Sequence, residues 1–295
     1  MGLSTLKSVD SRESFNANNV MFSTHNSISN LMPYGGLILT ITTTIVALAR
    51  FYLLQNIILP RAYSPTSLAK MTSMQRRSFA NHHMAAALKI VLLSTAIYPL
   101  FAILSGRATP SSPLSPGSKV TAGDMLVIST QIFTAMYLFE LLFRDEISPI
   151  SCAHHVGAIV IAQSALAMSF DPKHKRDGLW EILLCFLWGA FDVVAELWPH
   201  IAMIYYRMHH GKHKFLAKLF YATMWLELLG TLVETIVMMV LFGLLWQEWS
   251  LSLKIATPLL HALFSSAQLW GAWIFFGLAK QQSGMCMSKA TEHGP

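Results

Sequence analysis

Seven stretches of this chain, residues 31–59, 84–105, 122–143, 149–170, 179–206, 215–246 and 251–278, are long and apolar with few charges, and that pattern decides the fold class. At about 1.5 Å per residue each is long enough to cross a hydrocarbon core of about 30 Å. Inside lipid a chain must satisfy its backbone N–H and C=O groups internally, and apolar runs of this length do so as helices. The chain therefore reads as an all-α integral membrane protein with seven transmembrane helices. Its bulk properties agree, since 54% of its residues are hydrophobic and only 12% are charged, with a mean hydropathy of +0.47. The formal charge of +6 lies mostly in short loops, where basic side chains meet anionic headgroups. That placement points to membrane lipids as partners and not to nucleic acid.

The segments between the runs are read in the same way. Residues 1–30 are polar, rich in Ser and Asn, and lack the apolar core of a secretory signal, so a disordered tail is expected. Gly2 is present, but Leu6 stands where a myristoylation site needs Ser or Thr. Residues 60–83 form a basic loop ending in His82-His83, and Lys89, one turn into the second span, is expected to snorkel to the headgroups. Pro110, Pro113 and Pro116 among serines make 106–121 a flexible connector. Pro199 offers a kink in the long fifth span. The cysteines, Cys152, Cys185 and Cys286, are odd in number and scattered, so neither a disulfide framework nor a zinc site is expected.

The spans are not uniformly apolar. An ionisable side chain at the centre of a membrane helix costs roughly 2.5–3.5 kcal/mol on insertion scales, so each should face a partner or a wet cavity. The fifth span carries Asp192, Glu196 and His200 at i, i+4 and i+8; the sixth has Glu227 and Glu234, and the seventh His261 and Gln268, each set on one helical face. The fourth span opens on Ser148, a good N-cap, followed by Pro149, and places His154 and His155 about a turn and a half inside. Adjacent helical residues point about 100° apart, so at most one of the pair faces a cavity squarely. Just upstream, Tyr137, Glu140 and Arg144 share one face, the last two at ion-pair spacing.

A Tyr/Glu/Arg-bearing helix, a short Ser-Pro turn and an HH-x-G helix together resemble the TLC domain family, which includes ceramide synthases and non-enzymatic membrane proteins. The resemblance covers about residues 84–280. It implies a six-helix bundle around a polar cavity, preceded by the separate span 31–59 and followed by a tail at 281–295. In ceramide synthases a run of the form HD-x-x-D-x-x-L-E follows on a later helix; Asp192 and Glu196 match its second Asp and its Glu, whereas Trp188, Gly189 and Ala195 replace the His, the first Asp and the Leu. A divergent member is implied, in the membrane of the endoplasmic reticulum, with acyl-CoA as co-substrate and no other cofactor.

Three functions follow. The first is lipid acyl transfer to an amine or hydroxyl, with His154 or His155 as base, Asp192 or Glu196 orienting it, and Glu140, His200, Glu227, Glu234, His261 and Gln268 as substrate-binding groups. An imidazole beside a carboxylate is the chemistry of a general base. The second is a non-catalytic protein that binds or moves lipid, or escorts membrane cargo. The third, a di-iron oxygenase suggested by twelve histidines, fits poorly, because the histidines form bare HH pairs and one HHxxH. Those of the loops, His82, His83, His209 and His210, read as headgroup contacts. Lys and Arg divide almost evenly between the two sides, with a slight excess placing the C-terminus in the cytosol.

Overall fold

A computed structural model describes residues 28–144, 146–169, 175–244 and 246–292. It is all-α, with seven helices long and apolar enough to cross a membrane. They are α1 (Met32–Ala62), α2 (Ser73–Leu104), α3 (Ala122–Phe143), α4 (Pro149–Met168), α5 (Lys175–Met208), α6 (His213–Leu244) and α7 (Leu251–Glu292). Their outward faces carry Ile90, Ile97, Leu229, Leu232, Ile236, Leu259 and Trp273, all exposed. A contiguous apolar exterior of that size belongs against lipid tails.

Contacts between helices run α2–α3–α4–α7–α6–α5 and back from α5 to α2, with α1 outside, packed on α3. Arg50, which interrupts the apolar run of α1, turns inward within a π-helical segment, Ala49–Ile58. There its Nε donates to Asn81 Oδ1 at 2.8 Å and it lies over the rings of Phe51 and Phe143.

Three boundaries differ from the sequence reading. Helix α2 starts at Ser73 and not near residue 84, because Thr72 and Gln75 form a capping box that satisfies the first free N–H groups. The connector 106–121 is ordered by hydrogen bonds: Leu114 N donates to Val120 O, and Ala122 N to Ser112 O, around Gly106 and Gly117, both at positive φ. Helix α7 continues past residue 278 to Glu292. Of the expected tail at 1–30, residues 1–27 lie outside the described residues, but Ile28 and Ser29 are buried. Ser29 Oγ donates to Asp124 Oδ1 at 2.5 Å at the start of α3.

That docking needs Gly123, where a Cβ would sit 1.9 Å from Ile28 O and 2.9 Å from Pro110 O. Both are backbone atoms that cannot swing aside. Gly123→Ala should therefore destabilise the fold by about 1–3 kcal/mol, the usual range for overpacking, read as a lowered thermal midpoint in detergent. Gly277→Ala, with open space around its Cβ, should leave the midpoint unchanged.

Candidate functional site

The site is assembled from four helices. Helix α4 begins where Ser148 Oγ accepts from Ser151 N at 3.1 Å with Pro149 in the first turn, and this start sets the depth of His154 and His155, both buried. Helix α5, antiparallel to it, presents Asp192 and Glu196 one turn apart. His154 Nε2 lies 3.5 Å from Asp192 Oδ2 and 3.5 Å from Glu196 Oε1. The hydroxyl of fully buried Tyr137, from α3, donates to Asp192 Oδ2. The fourth helix is α2, whose Lys89 Nζ donates to Glu196 Oε2 at 2.7 Å.

The second histidine serves a different group. His155 Nε2 is 3.4 Å from Glu140 Oε2, and its ring stacks on that of Tyr137 with centroids 4.5 Å apart. The other oxygen of Glu140 faces His200 Nε2 at 3.6 Å, and His200 Nδ1 shares a hydrogen bond of 3.0 Å with His82 Nδ1. Arg144 reaches Glu140 at 3.8 Å, as their spacing implied. Two imidazoles thus flank Glu140, while two carboxylates flank His154.

Two sequence expectations fail here. Lys89 does not snorkel; its side chain is 0% exposed. His82 and His83 are not loop residues in contact with headgroups, since both lie on α2, where His82 meets His200 and His83 bonds Tyr63. The helix runs unbroken from Ser73, so His82 and His83 are helical, and Lys89 points into the bundle, where Glu196 holds its ammonium at 2.7 Å. The signal was available, because a lone lysine inside an apolar helix points to a buried partner. Tyr137, noted only as part of a motif, proves to contact both histidines.

A second polar cluster joins α6 to α7. Gln268 Nε2 donates to Glu234 Oε2 at 2.8 Å, and His261 Nδ1 lies 3.9 Å from Glu234 Oε1 while accepting from Trp188 Nε1 at 3.3 Å. Glu227, two turns earlier on α6, is buried against Gly271. Of the ten residues expected at the site, six gather around His154 and Glu140, three form this cluster, and Glu227 lies apart from both.

Between the clusters lies a cavity of about 340 Å³. Helices α2 to α7 all contribute to its wall, and α1 does not. Most of the wall is apolar, including Leu92, Ala96, Phe133, Ala158, Ile161 and Ala165. Its charged groups lie toward one end, where His154 and Asp192 face Glu234 and Gln268, and Ser129 and Thr130 add hydroxyls to the wall. His155 is not part of the lining, so the cavity-facing member of the pair is His154. Ile97 and Phe101 line the cavity and are also exposed at 50% and 62%. The cavity therefore opens through the side of the bundle at α2, toward lipid.

No family model, curated protein or solved structure matches this chain. What the site does has to come from its own residues. They supply a buried imidazole held by two carboxylates at the end of an apolar channel. His154, Asp192 and Glu196 also each offer a ligand atom within 4.8 Å of the other two, the spacing at which three side chains can share a metal ion.

Proposed function

We propose that this protein is a membrane lipid enzyme, a divergent TLC-like acyltransferase that moves an acyl group from acyl-CoA to an amine or hydroxyl. The observation that supports it best is the placement of His154 at the charged end of a mostly apolar cavity, 3.5 Å from two carboxylates. The acyl chain lies along the apolar wall and enters from the bilayer beside Ile97 and Phe101. At the polar end the imidazole of His154 takes the proton of the attacking amine or hydroxyl, whose lone pair forms the new bond to the acyl carbon as the CoA thiolate leaves. Asp192, braced by Tyr137, orients the ring, and Glu234 with Gln268 binds the polar part of the acceptor. The membrane is that of the endoplasmic reticulum, with the cytosolic face nearer His154.

Comparative lipid mass spectrometry of membranes with and without the protein tests this reading. His154→Ala should lower turnover by about 10²–10⁴-fold, the range general base catalysis supplies, with the protein still abundant and inserted. Asp192→Asn should lower it less, because an orienting carboxylate supports the base without accepting the substrate proton. A lipid change that persists when both His154 and His155 are alanine would instead mark a carrier or escort that holds lipid without chemistry.

A further inference from the structure

We propose that His154, Asp192 and Glu196 form a binding site for one divalent transition-metal ion, best matched by Zn²⁺. The inference goes beyond the acyl-transfer reading and rests on the geometry of these side chains alone.

Ligand spacing is the first support. Tetrahedral zinc binds His nitrogen and carboxylate oxygen at about 2.0–2.2 Å, which places neighbouring ligand atoms about 3.3–3.6 Å apart. The two distances from His154 Nε2, to Asp192 Oδ2 and to Glu196 Oε1, are both 3.5 Å. That is longer than a good N–H···O hydrogen bond and matches the edge of such a tetrahedron.

The second support is the set of buried atoms left over. His154 is 4% exposed and Asp192 6%, yet both ring nitrogens of His154 and Oδ1 of Asp192 have no hydrogen-bond partner among the described residues. Polar atoms buried to this degree are almost always partnered. Among the described residues the basic group within ion-pair reach of Asp192 is His154 itself, since Lys89 is engaged with Glu196.

The two carboxylates have the outer partners that ligands need. Lys89 holds Glu196 Oε2 and leaves Oε1 toward the ion, while the Tyr137 hydroxyl donates to Asp192 Oδ2, the oxygen nearer His154, and leaves Oδ1 without a partner among the described residues. Hydrogen bonds to ligating carboxylates of this kind orient them and tune the metal. Three protein ligands would leave a fourth position open, as in catalytic and not structural zinc sites, and two of the three, His154 and Asp192, line the cavity. The sequence did not show the site because its ligands come from two helices, with one histidine and two acids in place of a Cys/His box.

The test is metal content by mass spectrometry on full-length protein purified in detergent, after incubation with Zn²⁺ and desalting. About one zinc per chain is expected. His154→Ala, Asp192→Asn and Glu196→Gln should each weaken retention at least about 100-fold, while His155→Ala, which removes the neighbouring imidazole and no ligand, should retain it. Asp192→Asn preserves shape and is the deciding variant if another fails to fold. Wild-type protein that holds no more zinc than Asp192→Asn overturns the proposal, as does retention unchanged in all three variants.

Lipid turnover is measured separately on the same preparations. An ion occupies the lone pair that a base would use, so if both assignments hold, stripping zinc raises turnover. Zinc retention without turnover would leave the metal site standing and remove the acyltransferase reading; turnover without retention would do the reverse.

Discussion

Replacing Glu196 with leucine will destabilise the protein by about 3–5 kcal/mol, the range for breaking a buried ion pair by removing one partner. The reason is Lys89. Its ammonium is 0% exposed and hydrogen-bonded at 2.7 Å to Glu196, whose own side chain is 25% exposed. Without the carboxylate the lysine is a charge in a low-dielectric interior, near the middle of a 32-residue helix. The reverse change, Lys89→Met, should cost less, because Glu196 keeps His154 beside it and retains some access to the surface. The double variant should recover much of the loss, since a well-packed apolar pair can replace a buried ion pair at little cost. A double-mutant cycle on thermal unfolding in detergent measures the coupling. Additive costs would mean that Lys89 and Glu196 are not paired in the folded protein.

The same pair shows what the sequence could and could not disclose. The number and order of the helices were legible, because seven apolar runs leave a membrane chain few alternatives. The start of α4 was legible from Ser148 and Pro149, and the pairing of α5 acids with an α4 histidine followed from helical spacing. The start of α2 was not read, although Thr72 and Gln75 spell a capping box. That one boundary left His82 and His83 in a loop, and the partner of buried Lys89, Glu196, lies on another helix, 107 residues away. Which histidine faces the cavity could not be read from sequence. Adjacent residues diverge by about 100°, and the choice depends on Tyr137, which stacks on His155 and meets His154 edge-on. The sidedness of the cavity was equally hidden, since it depends on Ile97 and Phe101 lining a wall and facing lipid at once.

If the proposed acyl transfer holds, the length of the cavity should set the length of the acyl chain, and changing it should give a graded shift. Three helices measure the apolar channel independently: His154 to Ala165 on α4, Asp192 to Ile182 on α5 and Leu92 to Phe101 on α2, all lining residues, span roughly 16, 15 and 14 Å. The far end is closed by a core of Leu100, Ile103, Leu126, Ala165 and Ile182. An extended hydrocarbon advances roughly 1.25 Å per carbon, from C–C bonds of about 1.5 Å at tetrahedral angles, so the channel holds a straight chain of about twelve carbons. Phenylalanine at Ala158, Ala162 or Ala165 should place a stop at roughly 6, 12 or 16 Å from His154. Ala165→Phe should shorten the preferred chain by a few carbons, Ala162→Phe by more, and Ala158→Phe should nearly abolish binding. Each also carries an overpacking cost of about 1–3 kcal/mol, so chain length and not yield is the quantity to read. Val160→Phe, at a position 56% exposed on the outer face of the same helix, is the control and should leave the distribution unchanged. Mass spectrometry of co-purifying lipid and of product gives the chain lengths directly. An identical distribution in all four variants would show that the acyl chain lies elsewhere.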